Sequence, residues 1–251
     1  MEQNVVQIEV CCGGIDDVLT AMREGADRIE LNSALALGGL TPSLGVMTRA
    51  RQLTSLPIMA MVRPRSAGFR YSDEEFETML CDAKLLAQAG ADGIVCGFLT
   101  SDGEIDVERC KRMLEAIGNA QPVFHRAFDF CRSPETSLET LISLGFRRIL
   151  TSGQMPSVLQ GAQTIRALQE QAAGRIEILP GAGIRPENVR SLVSHSGTGW
   201  VHVSASGFFP DVSTDGNKRI SFGRPGPSYD NCYQAVDAQA LREIKNALHA
   251  I

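Results

Sequence analysis

Short apolar runs recur along the chain about every 30 residues, each closing on polar residues or glycines. They read VVQIEVCC from Val5, DRIELNS from Asp27, PIMAMVRPR from Pro57 and DGIVCGF from Asp92. PVFHRAFD from Pro122, RRILTSG from Arg147, RIEILPGAG from Arg175 and WVHVSAS from Trp200 complete a set of eight. Stretches with helical period lie between them, such as EEFETMLCDAKLLAQAG and PETSLETLISLG. Eight strand–helix alternations predict a (β/α)8 TIM barrel, a fold that carries its chemistry at the C-terminal ends of the strands.

The connections carry matching signals. Thr41-Pro42 and Ser133-Pro134 each offer an N-cap followed by proline, and Ser72 with Glu75 has capping-box spacing. Gly25, Gly90 and Gly145 stand where helices should stop. The 251 residues match the ~250 typical of one such barrel, so residues 1–251 are expected to form a single domain. Residues 207–236, rich in Gly, Pro, Ser and Asp, interpose a long connection after the eighth strand. It is expected to serve as a lid over the mouth or as an oligomer contact.

Period-2 alternation assigns side chains to faces. With Val6, Ile8 and Val10 facing the helices, Gln7, Glu9 and Cys11 point into the barrel. By the same parity Arg28, Glu30 and Asn32 point inward from the second strand, and His202 and Ser204 from the eighth. His125 and Asp129 share a parity in the fifth, and Arg63 ends the third. Glu9, Glu30, Arg63, His125, Asp129 and His202 are therefore expected to converge on one mouth. Buried charges of this kind must neutralise one another or await a charged ligand. Taken singly, Glu9 or Glu30 could be a strut bonded to an arginine, and Cys11 a small hydrophobe lining the barrel.

Pro180-Gly181-Ala182-Gly183 follows the seventh strand and Ser204-Ala205-Ser206 the eighth. Loops in these positions often hold phosphate in barrels, so Gly181, Gly183, Ser204 and Ser206 form a candidate anion site. The glycines do not open a dinucleotide fingerprint, and no nucleotide cofactor is expected.

Charge and cysteine usage narrow the classes. The formal net charge is −5 with no basic stripe, which argues against nucleic acid as a partner. The longest apolar runs fall well short of the ~20 residues of a membrane span, and the N-terminal MEQNVVQIEV lacks a charged n-region, so neither a membrane anchor nor a secretory signal is expected. Seven scattered cysteines without CxxC spacing fit a reduced, cytoplasmic protein.

ADRIELNSALALGGLTPSLG (26–45), the RPR and YSD of residues 63–65 and 71–73, TSDGEID (100–106), FHRAFD (124–129), LTSGQ (150–154) and PGAGIRPENV (180–189) occur in order. In these segments, and over roughly residues 5–206, the chain resembles the CutC family of copper homeostasis proteins. The resemblance implies a TIM-type barrel, a cytoplasmic location, dimers or larger homo-oligomers, and copper binding. In relatives proposed to bind Cu(I), thiols end the first two strands. Cys11 matches the first of these positions, whereas Asn32 occupies the second, and an amide is a poor ligand for Cu(I). Two functions follow as expectations. One is copper binding and tolerance, centred on Cys11. The other is an enzyme acting on a small phosphorylated or carboxylated metabolite, with Glu9, Glu30, His125 and Asp129 as acid and base and Arg63 adding charge at the anion site.

Overall fold

The computed structural model describes residues 6–217, 219–221 and 231–249. Eight parallel strands form the barrel wall: β1 (Gln7–Cys12), β2 (Arg28–Leu31), β3 (Ile58–Met61), β4 (Gly93–Cys96), β5 (Gln121–Phe124), β6 (Arg148–Thr151), β7 (Glu177–Pro180) and β8 (Trp200–Val203). They pair in the order β7-β6-β5-β4-β3-β2-β1-β8, and a single parallel bridge between Gly181 and His202 nearly closes the ring. The outer layer is α1 (Ile15–Arg23), α2 (Leu44–Leu53), α3 (Asp73–Gln88), α4 (Val107–Ile117), α5 (Pro134–Leu144), α6 (Ala162–Ala172), α7 (Val189–Ser196) and α8 (Ala238–His249). This is the TIM barrel that the alternation predicts. The main core lies between strands and helices and includes Ile8, Val10, Ile29, Leu31, Ile94 and Phe124. Inside the barrel a separate apolar cluster, Met59, Met61, Val95 and Val123, fills the side formed by β3, β4 and β5.

Ser72 and Glu75 make the expected capping box, and Ser133 caps α5 ahead of Pro134. Ser43, not Thr41, caps α2, with its hydroxyl accepting from the Val46 amide at 3.2 Å. Thr41 is engaged elsewhere: its hydroxyl accepts from the Arg63 amide at 2.9 Å and ties the loop after β2 to the end of β3. The fifth run turns early. β5 stops at Phe124, and Arg126–Phe130 coil as a 3-10 helix capped by His125, so His125 and Asp129 do not share a strand face.

The connection after β8 is not structureless. β9 (Ser206–Pro210) and β10 (Cys232–Val236) form an antiparallel ribbon. The buried Asp17 of α1 anchors it by accepting from the Val236 amide at 2.7 Å. Residues 218 and 222–230 of this segment lie outside the described residues.

Candidate functional site

Opposite the apolar cluster, the barrel interior is ionic. Arg148 Nε and Arg28 Nη2 both donate to Glu177 Oε1, the latter at 3.0 Å. Arg28 Nε donates to Glu9 Oε2, and the Arg28 guanidinium lies over the Trp200 ring, 3.7 Å from its centroid. Glu9 in turn bonds His202 Nδ1 through Oε1 at 2.8 Å, and His202 Nε2 stands 3.9 Å from Glu30 Oε2. The series therefore leads from β6 and β7 through β2 and β1 to the top of β8. Alternating parity puts all these side chains inside, and the opposite charges offset the cost of burial.

The series ends in a compact group. Ligand-type atoms of Cys11, Glu30 and His202 all lie within 4.8 Å of one another. Asn32 holds two of them, with Nδ2 donating to Glu30 Oε2 at 2.8 Å and to Cys11 Sγ at 3.4 Å. Burial disfavours ionisation of Glu9, but the His202 hydrogen bond and the Arg28 charge outweigh it and bring its pKa down to about 2. Glu9 is thus a carboxylate, and His202 Nδ1–H is the donor between them. Burial also disfavours charge on His202, yet Glu30 and its bonds to Cys11 and Glu9 raise it well above the usual histidine value. Burial raises Glu30, and it pushes the Cys11 thiol up to about 12.

The other predicted residues are placed differently. Arg63 donates through Nη1 to the carbonyls of Leu37, Gly38 and Gly39 and through Nη2 to Ala67 at 3.0 Å, pinning two loops at the mouth. Gly39, at φ +81°, lies against Asn32: a Cβ there would stand 2.5 Å from Asn32 Oδ1. His125 accepts from the Ala127 amide at 3.1 Å, packs against Phe69, and leaves Nε2 buried without a hydrogen-bond partner among the described residues. Burial and the nearby Arg63 charge lower its pKa to about 3, so the ring is neutral. Asp129 is filled by donors: the Thr151 and Ser152 hydroxyls, the Ser152 and Gln154 amides, and Arg126 Nε at 2.8 Å. It joins the FHRAFD and LTSGQ segments.

Of the four anion-site residues, Ser204 lines the mouth. The Gly181 amide donates to the Thr151 carbonyl at 2.9 Å, the Gly183 carbonyl accepts from Asn188, and the Ser206 hydroxyl accepts from Gln234 on the ribbon. Above the Cys11–Glu30–His202 group opens a chamber of about 940 Å³, which Arg63, Arg65, Arg70, His125 and Arg126 also line. Beyond the residues expected from strand ends and loops, Arg126, Arg148 and Glu177 join the site. The parity that places Glu9 inside would have found the last two. Cys12, Cys96 and Cys131 all belong to the core between strands and helices, which leaves Cys11 as the cysteine at the mouth among the described residues.

Comparison with known proteins agrees with the fold. A family profile described as the CutC family matches residues 6–207. A CutC family protein of Treponema denticola is 48% identical over 218 residues, covering 87% of this chain and 89% of its own. A human protein named copper homeostasis protein cutC homolog is 47% identical, covering 94% of this chain and 87% of its own. The crystal structure of CutC from Streptococcus agalactiae superposes with a TM-score of 0.76 at 33% identity, covering 78% of this chain and 97% of its own. Phosphoribosylanthranilate isomerase from Thermotoga maritima shares the fold with a TM-score of 0.57 at 16% identity, covering 98% of this chain and 100% of its own.

Proposed function

The chain belongs to the CutC family, and from that premise we propose that it binds one copper ion at the barrel mouth through Cys11, Glu30 and His202. The observation that carries this reading is the mutual approach of those three side chains to within 4.8 Å. One thiol, one imidazole and one carboxylate form a mixed donor set that suits Cu(II) and Zn(II) better than a two-thiolate Cu(I) site does. Asn32 then has a part other than ligation, because its amide orients Glu30 and Cys11. Glu9 plays the same part for His202, as the carboxylate behind a ligating imidazole. The copper homeostasis role named for the human relative, a cytoplasmic location and homo-oligomerisation extend this reading on family grounds. The acid–base enzyme reading has less support, since Arg63 and Asp129 are committed to backbone and loop contacts.

The test is competition against chelators with Cu(II), Cu(I) and Zn(II), using wild type, Cys11→Ser and His202→Ala. Each substitution is expected to weaken Cu(II) binding by roughly a hundredfold, as loss of one strong ligand does. Asn32→Cys adds a second thiol beside the first and should turn the preference toward Cu(I). Copper affinity unchanged in both Cys11→Ser and His202→Ala would overturn the assignment.

A further inference from the structure

The chamber is far larger than a metal ion requires. Its volume of about 940 Å³ falls in the range of metabolite sites, and its wall is unlike the rest of the molecule. The chain carries a net −5, yet among the described residues four guanidinium groups line this space against one carboxylate, Glu30. Such a lining concentrates anions.

We propose that the chamber binds a small organic molecule bearing a carboxylate or phosphate group, and that Arg126 is the residue that takes its charge. Arg126 is held for this purpose. Nε is fixed by Asp129 and Nη2 by the Ser152 hydroxyl at 3.0 Å, which leaves Nη1 without a protein partner among the described residues. Asp129 is itself immobilised by the loop after β6, so the guanidinium is pre-organised at low entropic cost. Arg70 also lines the chamber, and its guanidinium has no partner among the described residues. The ligand's body has an apolar, aromatic seat: the Phe69 and Phe130 rings lie 5.6 Å apart on the chamber wall, and Phe130 is 68% exposed. Aromatic surface left open beside a free cationic group suits an amphipathic anion. This inference concerns the chamber and does not depend on the metal reading.

The experiment titrates benzoate, phenyl phosphate and neutral benzamide into protein freed of metal on a chelating resin, with NMR shifts as readout. At least one of the two anions should bind about tenfold more tightly than benzamide. Tighter binding of benzoate assigns the group as carboxylate, and tighter binding of phenyl phosphate as phosphate monoester. Arg126→Gln should weaken the better anion by about tenfold or more, with Arg126→Lys recovering part of that loss. Phe130→Asp alters an exposed side chain, so it folds whether or not Arg126→Gln does, and its new carboxylate should weaken the anion by about tenfold. Equal binding of benzamide and both anions, no binding of either anion, or full affinity in Phe130→Asp would overturn the proposal.

Discussion

His202 donates Nδ1–H to Glu9 at 2.8 Å and turns Nε2 toward Glu30 at 3.9 Å, so one ring joins a buried ion pair to the mouth of the barrel. The two glutamates that sequence parity treats alike therefore differ. Glu9 is an ionised strut between Arg28 and His202, and Glu30 is a carboxyl whose burial favours the proton.

Stability should separate them. Glu9→Gln removes the negative charge between Arg28 and His202 and leaves one acceptor oxygen where there were two, and is expected to cost about 3 kcal/mol or more. Glu30→Gln keeps the shape, and its amide replaces a carboxyl already prone to protonation, so a change within about 1 kcal/mol is expected. Urea melts of the two variants check this, and equal losses would mean that the carboxylates share one role.

Copper affinity should rise with pH. A ligating thiolate and a neutral imidazole must form from a Cys11 held up to about 12 and a His202 held well above the usual value. Cys11 and His202 each give up a proton as the ion binds, and the raised Glu30 carboxyl adds to the effect, so affinity is expected to climb by about tenfold or more per pH unit between pH 6 and 8. Chelator competition at three pH values measures the slope. A flat profile would show that the ion engages neither Cys11 nor His202.

The sequence carries the barrel because each strand is a short apolar run and each helix has its own punctuation. Parity brings Glu9, Glu30, Cys11 and His202 to one interior because all four lie on regular strands. It misplaces Asp129 because β5 ends at Phe124 and a 3-10 turn breaks the alternation. Arg63 and Arg126 follow strand ends, and loop geometry, not period, decides what they touch. Their partners are backbone carbonyls and a distant loop hydroxyl, contacts with no spacing signature.

His125 should shape the acid side of the stability curve. Its folded pKa, about 3, lies below the 6.5 of an unperturbed histidine because burial and Arg63 disfavour the cation. The unfolded chain takes the proton first, so stability is lost as pH falls from about 6.5 toward 3. His202 has the opposite sign: its contribution is full below 6.5 and is lost only as pH rises through its raised value. Between pH 6.5 and 4.5 His125→Gln should remove roughly 2 to 3 kcal/mol of the wild-type decline. Denaturant melts at several pH values measure it, and parallel curves would show that His125 is not held neutral.

Arg63 offers the sharpest contrast between charge and shape. As a source of positive charge for an anion it could be replaced by lysine at little cost. As a fork whose two terminal nitrogens reach four carbonyls on the loops after β2 and β3, it could not. A lysine ammonium cannot span Leu37 to Gly39 and Ala67 together, so the two loops would lose their common tie and the buried Gly39 carbonyl the donor that water cannot readily replace. Arg63→Lys is therefore expected to cost about 2 to 4 kcal/mol and to speed amide exchange selectively in residues 33–40 and 64–70. Hydrogen exchange with mass readout locates the effect. Unchanged protection in both loops with lowered anion affinity would return Arg63 to the ligand and remove it from the scaffold.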